Sequence, residues 1–122
     1  MKTVKSYVPQ QVELWYVIPS VRKEFAKLMV KKGLSQKETA AKLGVTESAV
    51  SQYLKEKRAK ETIAFDKETK TEMEKSVGRI LKGGGLIREI ERICKLCRKN
   101  RFICRVSKKL GYAPRGCREC FV

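Results

Sequence analysis

The chain has 122 residues, enough for one compact domain with an appendage or for two very small units. Its 29 Lys and Arg residues against 13 Asp and Glu residues give a formal charge of +16, which indicates a polyanionic partner such as nucleic acid or an anionic membrane surface. The N-terminus lacks the features of a signal peptide, and no segment is apolar for long enough to cross a bilayer. We therefore expect a cytoplasmic protein.

The charge is divided into three blocks along the chain. Residues 1–60 carry a net charge of +8, residues 61–91 carry −1, and residues 92–122 carry +9. This division predicts an N-terminal domain at 1–60, a connector at 61–91 and a basic, cysteine-containing region at 92–122.

The first long element is predicted to be a helix. Pro19 and Ser20 favour its start, and Gly33 after two lysines favours its end. Apolar side chains recur between them at helical spacing, at Val21, Phe25, Leu28 and Met29. The apolar segment before it, residues 12–18, is compatible with either a short helix or a strand.

The segment "LSQKETAAKLGVTESAVSQYLKEKR" predicts two helices joined by a sharp turn. Ser35 and Glu38 have the spacing of a capping box, which starts a helix at Gln36. Gly44 supplies a positive φ for the turn, and Thr46 is a natural N-cap for a second helix running to about Lys57. The side chains predicted to face inward are Thr39, Ala40, Leu43, Val50, Tyr53 and Leu54.

This segment resembles the helix-turn-helix of repressor and Cro-type regulators. That motif has small, turn-forming and apolar residues at the same positions as this segment. The matching residues here are Gln36, Ala40, Gly44, Val50 and Leu54. With the preceding "LWYVIPSVRKEFAKLMVKKG", it also resembles a group of predicted archaeal transcriptional regulators. The resemblance covers about the first half of the chain. It implies a mainly α fold and a transcription regulator that binds double-stranded DNA as a homodimer.

The second helix of such a motif enters the major groove with its N-terminal residues toward the base edges. The residues there that do not face inward are polar and are expected to contact bases: Glu47, Ser48, Ser51 and Gln52. Contacts to the DNA backbone are expected from Ser35, Gln36, Lys37, Thr46, Lys55, Lys57 and Arg58. A helical hairpin used only for packing would explain the apolar positions but not this polar face.

The connector is predicted to be a helix capped by Asp66, with Met73, Val77, Ile80 and Leu81 on one stripe. Three glycines at 83–85 then form either a hinge or a tight corner. A further helix follows, with an apolar face made of Leu86, Ile87, Ile90, Ile93, Cys94 and Cys97. That face is wide for so small a protein, so we expect a homodimer held by the helices around residues 67–99.

All five cysteines lie in the last 29 residues, at Cys94, Cys97, Cys104, Cys117 and Cys120. In a cytoplasmic protein, two C-x2-C pairs are typical of metal binding. Three or four thiolates without histidine favour an iron–sulfur cluster that senses redox state or iron, zinc is the close alternative, and disulfides come third. With no histidine in the chain, a catalytic cysteine is not expected, and we predict no enzyme activity.

These features together predict a mainly α protein. It has an N-terminal helix-turn-helix domain, a helical connector and a cysteine-rich, metal-binding C-terminal segment. The predicted function is sequence-specific DNA binding in transcription regulation, with no small-molecule substrate and no membrane partner. The alternative is a metal-stapled, basic RNA-binding or translation-associated protein.

Overall fold

A computed structural model describes residues 9–55, 65–102 and 105–106. The described residues are almost entirely helical. A short helix α1 (Pro9–Val12) continues through a π-helical segment (Glu13–Val17) into α2 (Ile18–Lys31), and α3 (Gln36–Leu43), α4 (Glu47–Leu54), α5 (Lys67–Leu81) and α6 (Leu86–Lys99) follow. This confirms the mainly α fold. None of these helices has the length and apolar character that a membrane span requires.

The chain is helical on both sides of Pro19. Val17 and Ile18 both have right-handed helical backbone angles, and the Ile18 N–H donates to the Glu13 carbonyl five residues back. A proline ring has no N–H and crowds the carbonyl four residues before it, so a widened turn directly upstream accommodates it. The apolar segment at 12–18 is therefore part of one bent helix, and Val12 and Val17 are fully buried in it.

Helix α2 lies at the centre of the fold and contacts α3, α4, α5 and α6. Its Val21, Phe25 and Met29 side chains are completely buried, as the helical spacing predicts. Side chains from α3, α4, α5 and α6 pack with these three in one hydrophobic cluster. This cluster includes Leu43, Tyr53, Met73, Val77, Ile80, Ile93 and Cys97. The division of the chain at residues 60 and 91 stays a prediction, although packing around α2 is continuous across the described residues.

The glycines after α5 form a tight corner. The Gly83 N–H donates to the Ile80 carbonyl and the Gly84 N–H donates to the Arg79 carbonyl at 2.8 Å, while Gly83 has a φ of 100°. This is the Schellman arrangement, and the same pattern ends α2 at Gly33. Of the two predicted alternatives, hinge and corner, the structure shows the corner.

A buried carboxylate fixes the angle between α5 and α6. Glu89 on α6 is only 2% exposed, and it accepts hydrogen bonds from Arg79 on α5 at 2.9 to 3.1 Å. Arg92 lies 3.5 Å from the same carboxylate. The hydrogen bonds from Arg79 hold the pKa of Glu89 below its usual value. The carboxylate therefore stays charged and keeps its ion pair with Arg79 between α5 and α6.

The far end of α6 is also attached to the fold. Arg98 donates two hydrogen bonds to Glu13 of the π-helical segment, at 3.0 and 3.3 Å. Phe102 stacks on Phe65 with ring centroids 5.0 Å apart. These contacts join the end of α6 to the N-terminal helix, and they join Phe102, just beyond α6, to Phe65, just before α5.

The prediction that Ile87 shares the buried face of α6 is wrong, because its side chain is 84% exposed. At 100° per residue, Ile87 lies about 80° around the helix axis from Cys97, at the margin of the apolar stripe. Leu86 and Ile90 are half-buried, whereas Ile93, Cys94 and Cys97 are buried. The apolar face of α6 is therefore narrower than the sequence predicts, and α2 and α5 of the same chain cover most of it.

Gly84 gives a direct test of the corner. A Cβ atom at this position would lie 2.8 Å from the Arg79 carbonyl oxygen, which is backbone and has little freedom to move. We expect Gly84→Ala to lower the free energy of unfolding by about 2 kcal/mol. Gly78→Ala is the control, since nothing lies within 4 Å of its added Cβ and it sits inside α5. It should stabilise the protein by about 0.5 to 1 kcal/mol. Urea denaturation measures both, and equal effects would contradict the tight corner.

Candidate nucleic-acid interface

The first helix of the helix-turn-helix, α3, begins with the capping box that the sequence predicts. The Glu38 N–H donates to Ser35 Oγ and the Ser35 N–H donates to Glu38 Oε1, both at 3.1 Å. The hydrogen bonds from Ser35 lower the pKa of Glu38. Because the Ser35 N–H is used inside the cap, the backbone donors left at this helix start are those of Gln36 and Lys37.

The turn between α3 and α4 depends on Gly44, which has a φ of 65° and a ψ of 35°. The Val45 N–H donates to the Ala40 carbonyl at 3.1 Å and closes the turn. Thr46 Oγ1 then accepts from the Ala49 N–H at 3.0 Å and caps α4. The Gly44 and Thr46 predictions are confirmed, and together they fix where α4 starts and which way it points.

The inward faces of α3 and α4 also agree with the sequence. Thr39, Ala40 and Leu43 are buried on α3, as are Val50 and Tyr53 on α4. Leu54 is half-buried, and Ala49 is buried although it was not among the residues predicted to face inward. Ala49 is the third residue of α4, and its small side chain is buried together with Val50 and Tyr53.

The polar residues of α4 lie on its outer side. Glu47, Ser48 and Gln52 are exposed and Ser51 is half-buried, so the fold does not cover this face. Thr46, at the start of the helix, is exposed as well. A helix presented in this way can place short polar side chains against the edges of base pairs, where hydroxyl, amide and carboxylate groups distinguish donors from acceptors.

Exposed residues predicted to contact the DNA backbone flank this face. Ser35, Gln36 and Lys37 are exposed at the start of α3, and Lys55 is exposed at the end of α4. A helix start with exposed N–H groups attracts anions, and the two lysines add positive charge. Helix α4 ends at Leu54, earlier than the predicted Lys57. Lys57 and Arg58, also predicted to contact the DNA backbone, lie outside the described residues.

Two of the five candidate metal ligands lie within the described residues. Cys94 and Cys97 are one helical turn apart on the inward face of α6, and their side chains are 1% and 0% exposed. Cys104, Cys117 and Cys120 lie outside the described residues. Among the residues that the structure does describe, no three potential ligands cluster as they would around a metal ion.

The environment of the two thiols is that of a protein core. Burial, the largest cause, raises the pKa of each thiol from 9.0 to about 12, and the charge of Glu13 adds to the effect on both. Arg98 acts in the opposite direction. The basic surroundings seen in the sequence therefore do not produce reactive thiolates, because the Lys and Arg side chains point to solvent while the sulfur atoms point inward.

This raised pKa has a consequence for stability. Between pH 9 and about 12 the unfolded thiols lose their protons while the folded ones keep them, so the free energy of unfolding falls as the pH rises through this range. Below pH 9 the stabilisation is fully present. We expect Cys97→Ala to flatten this decline. Ile93→Ala leaves a cavity on the same buried face but keeps both thiols, so it should keep the decline. Urea denaturation from pH 8 to 11 tests the difference, and parallel curves for the two variants would contradict it.

Comparison with known proteins supports the motif that this geometry shows. Residues 25–64 match the family model described as helix-turn-helix, of the Cro/repressor type. The match spans the second half of α2 together with α3 and α4, and it covers about a third of the chain. No curated protein and no solved structure matches the chain. Residues 25–64 thus contain a helix-turn-helix domain similar to that of a family of DNA-binding regulators.

Proposed function

We propose that this protein is a cytoplasmic transcription regulator that recognises a specific sequence in double-stranded DNA through α4. The observation that carries the proposal is the outer face of α4, where Glu47, Ser48 and Gln52 are exposed directly after a capped, glycine-defined turn. The family match at residues 25–64 supports the DNA-binding class. The positive charge of the chain supports a nucleic-acid partner.

The roles of individual side chains follow from their chemistry. Gln52 can donate to and accept from adenine in a bidentate pair, and the carboxylate of Glu47 can accept from the amino group of cytosine. The hydroxyl groups of Ser48 and Ser51 can form hydrogen bonds with either donors or acceptors on the base edges. Gln36 and Lys37 contribute backbone N–H groups to a phosphate, so they position α4 without reading sequence.

Two substitutions separate base reading from backbone binding. Selection from a pool of random duplexes provides a preferred site, and fluorescence anisotropy then gives the affinity for that site and for a scrambled duplex. We expect Gln52→Ala to reduce the ratio of the two affinities by roughly 10- to 100-fold, the usual contribution of one bidentate base contact. Lys55→Ala should lower both affinities by a similar factor, because a phosphate contact carries no sequence information.

Two results would contradict this assignment. Equal losses on both duplexes for Gln52→Ala would remove Gln52 as a base-reading residue. Failure of the wild-type protein to enrich any sequence, with tight binding to structured RNA, would favour the alternative of a basic RNA-binding protein.

We further propose that the protein acts as a homodimer, since regulators of this type read two half-sites about 34 Å apart. The described helices bury most of the apolar face of α6 within one chain, so that face is not the reason for association. Among the described residues, the large apolar side chains that are exposed are instead Leu14 at 61%, Trp15 at 37% and Ile87 at 84%. Sedimentation at micromolar concentration tests the proposal, and a single monomeric species with and without operator DNA would end it.

The cysteines are proposed to bind an iron–sulfur cluster, with zinc as the alternative. The support is the spacing of the two C-x2-C pairs and the position of Cys94 and Cys97 one turn apart on one side of α6. Their burial sets a condition on the proposal. Metal ligation must remove the protons of two thiols that burial keeps protonated. The free energy of metal binding must therefore be large enough to offset that cost.

Anaerobic purification followed by visible absorption and metal analysis tests this proposal. We expect the broad visible absorption of an iron–sulfur cluster or, in its absence, stoichiometric zinc. Cys120→Ser should reduce the bound metal, because Cys120 belongs to the second C-x2-C pair. A colourless, metal-free protein whose operator affinity is unaffected by oxidation or chelation would end both the cluster and its proposed sensing role.

A further inference from the structure

The outer side of α6 carries a row of positive charge that the helix-turn-helix does not include. Arg88, Arg92, Lys95 and Lys99 are all exposed, and they recur at intervals of four, three and four residues. At 100° per residue they lie within an arc of about 60° on the side of α6 opposite Cys97. We name this row the α6 basic stripe.

Within its own helix, the α6 basic stripe is neutralised only at Arg92. Helix α6 has two carboxylates, the buried Glu89 and the exposed Glu91, and Glu91 is paired with Arg98 at 3.0 Å. Arg92 lies 3.5 Å from Glu89, but Arg88, Lys95 and Lys99 form no ion pair with another described residue. Like charges three and four residues apart repel one another and weaken a helix. A polyanion bound along the stripe would remove that repulsion.

Helix α5 shows what an ordinary solvated face looks like in the same fold. Its exposed side chains alternate in sign, with Lys67, Glu68, Lys70, Glu74 and Lys75 in close succession. Lys75 is paired with Glu72 at 3.3 Å. The one-sided charge of α6 is therefore not a general property of the surface of this protein.

The position of Arg88 adds to this contrast. It lies in the first turn of α6, where the partial positive charge of the helix start makes a cation unfavourable. Lys95 and Lys99 lie toward the end of α6, where the helix dipole favours them. The dipole thus accounts for part of the stripe but not for Arg88, which extends the row to the full length of the helix.

The stripe is also rigid. Ile93, Cys94 and Cys97 anchor the opposite side of α6 in the core, and Glu89 and Arg98 hold its two ends through ion pairs with Arg79 and Glu13. The distance along the axis from Arg88 to Lys99 is about 16 Å at 1.5 Å per residue. One strand of B-DNA presents about five phosphates over this length.

We propose that the α6 basic stripe is a second binding surface for the sugar-phosphate backbone of double-stranded DNA, separate from α4. The proposal rests on the proposed function in naming DNA as the polyanion. A membrane surface does not fit, because an interfacial helix inserts its apolar face into the lipid and the apolar face of α6 is buried in the core. The stripe offers only charge, which suits phosphates and carries no sequence information.

The test compares two triple variants that remove the same charge. The stripe variant removes three charges from the stripe through Arg88→Gln, Lys95→Gln and Lys99→Gln. The α5 variant removes three charges from α5 and the residue after it, where the side chains are also exposed, through Lys67→Gln, Lys70→Gln and Lys82→Gln. Fluorescence anisotropy with a random-sequence duplex, repeated over a series of salt concentrations, gives the slope of log affinity against log salt concentration. Thermal unfolding checks that both variants are folded.

We expect the stripe variant to bind the duplex more weakly and its slope to become shallower by about 2 to 3, since each phosphate contact contributes about 0.9. The α5 variant should keep a slope within about 0.5 of the wild-type value. The single variants Arg88→Gln and Lys95→Gln should each change the slope by about 0.9, which keeps the test available if the triple variant is poorly folded.

Equal slope changes in the two triple variants would overturn the proposal, because net charge alone would then explain them. A loss of affinity for structured RNA with unchanged binding to duplex DNA would also overturn it. Failure of the proposed function is a separate result: the wild-type protein would prefer no DNA sequence, yet the slope difference on random duplex would still be measurable. If both proposals hold, the stripe variant keeps the wild-type ratio between selected and scrambled duplexes.

Discussion

The burial of α2 is the constraint on which the rest of the structure depends. Its side chains at Val21, Phe25 and Met29 lose all contact with solvent. They can do so only because two pairs of helices, α3 with α4 and α5 with α6, both pack on α2. Burying apolar side chains is the main favourable term in folding, and a chain of 122 residues has few of them to bury. The orientation of α4 is therefore set by its contacts with α2 and α3, and α5 and α6 complete the same core.

Local signals in the sequence were sufficient for the helix-turn-helix itself. The Ser35–Glu38 capping box, the Thr46 cap and the left-handed Gly44 are decided within three or four residues, so they can be predicted without knowing the fold. The exposure of Ile87 is different, because it depends on which neighbours cover each side of α6. Periodicity locates an apolar stripe, but the width that is buried depends on the tertiary contacts.

The cysteines show how one spacing can serve two purposes. Residues three apart on a helix share a face, so Cys94 and Cys97 have the interval of a metal-binding pair and also that of two core residues. In the structure both are buried, Cys97 lies with Ile93 in the main hydrophobic cluster, and burial raises the pKa of both thiols. Sequence alone could not separate these cases, since the difference lies in whether α6 turns this face toward the core or away from it. The charges around them follow the opposite face and form the α6 basic stripe.

The central position of α2 has a consequence for how the protein is made. A nascent chain emerges from its N-terminus, so α2, α3 and α4 are available before the residues of α5 and α6 have been synthesised. During that interval the part of α2 that α5 and α6 will cover stays open to water or to chaperones. Helix α4 is thus in place early, but the core that supports it is complete only when Ile93 and Cys97 are buried. Premature termination anywhere in between would release a polypeptide prone to aggregate.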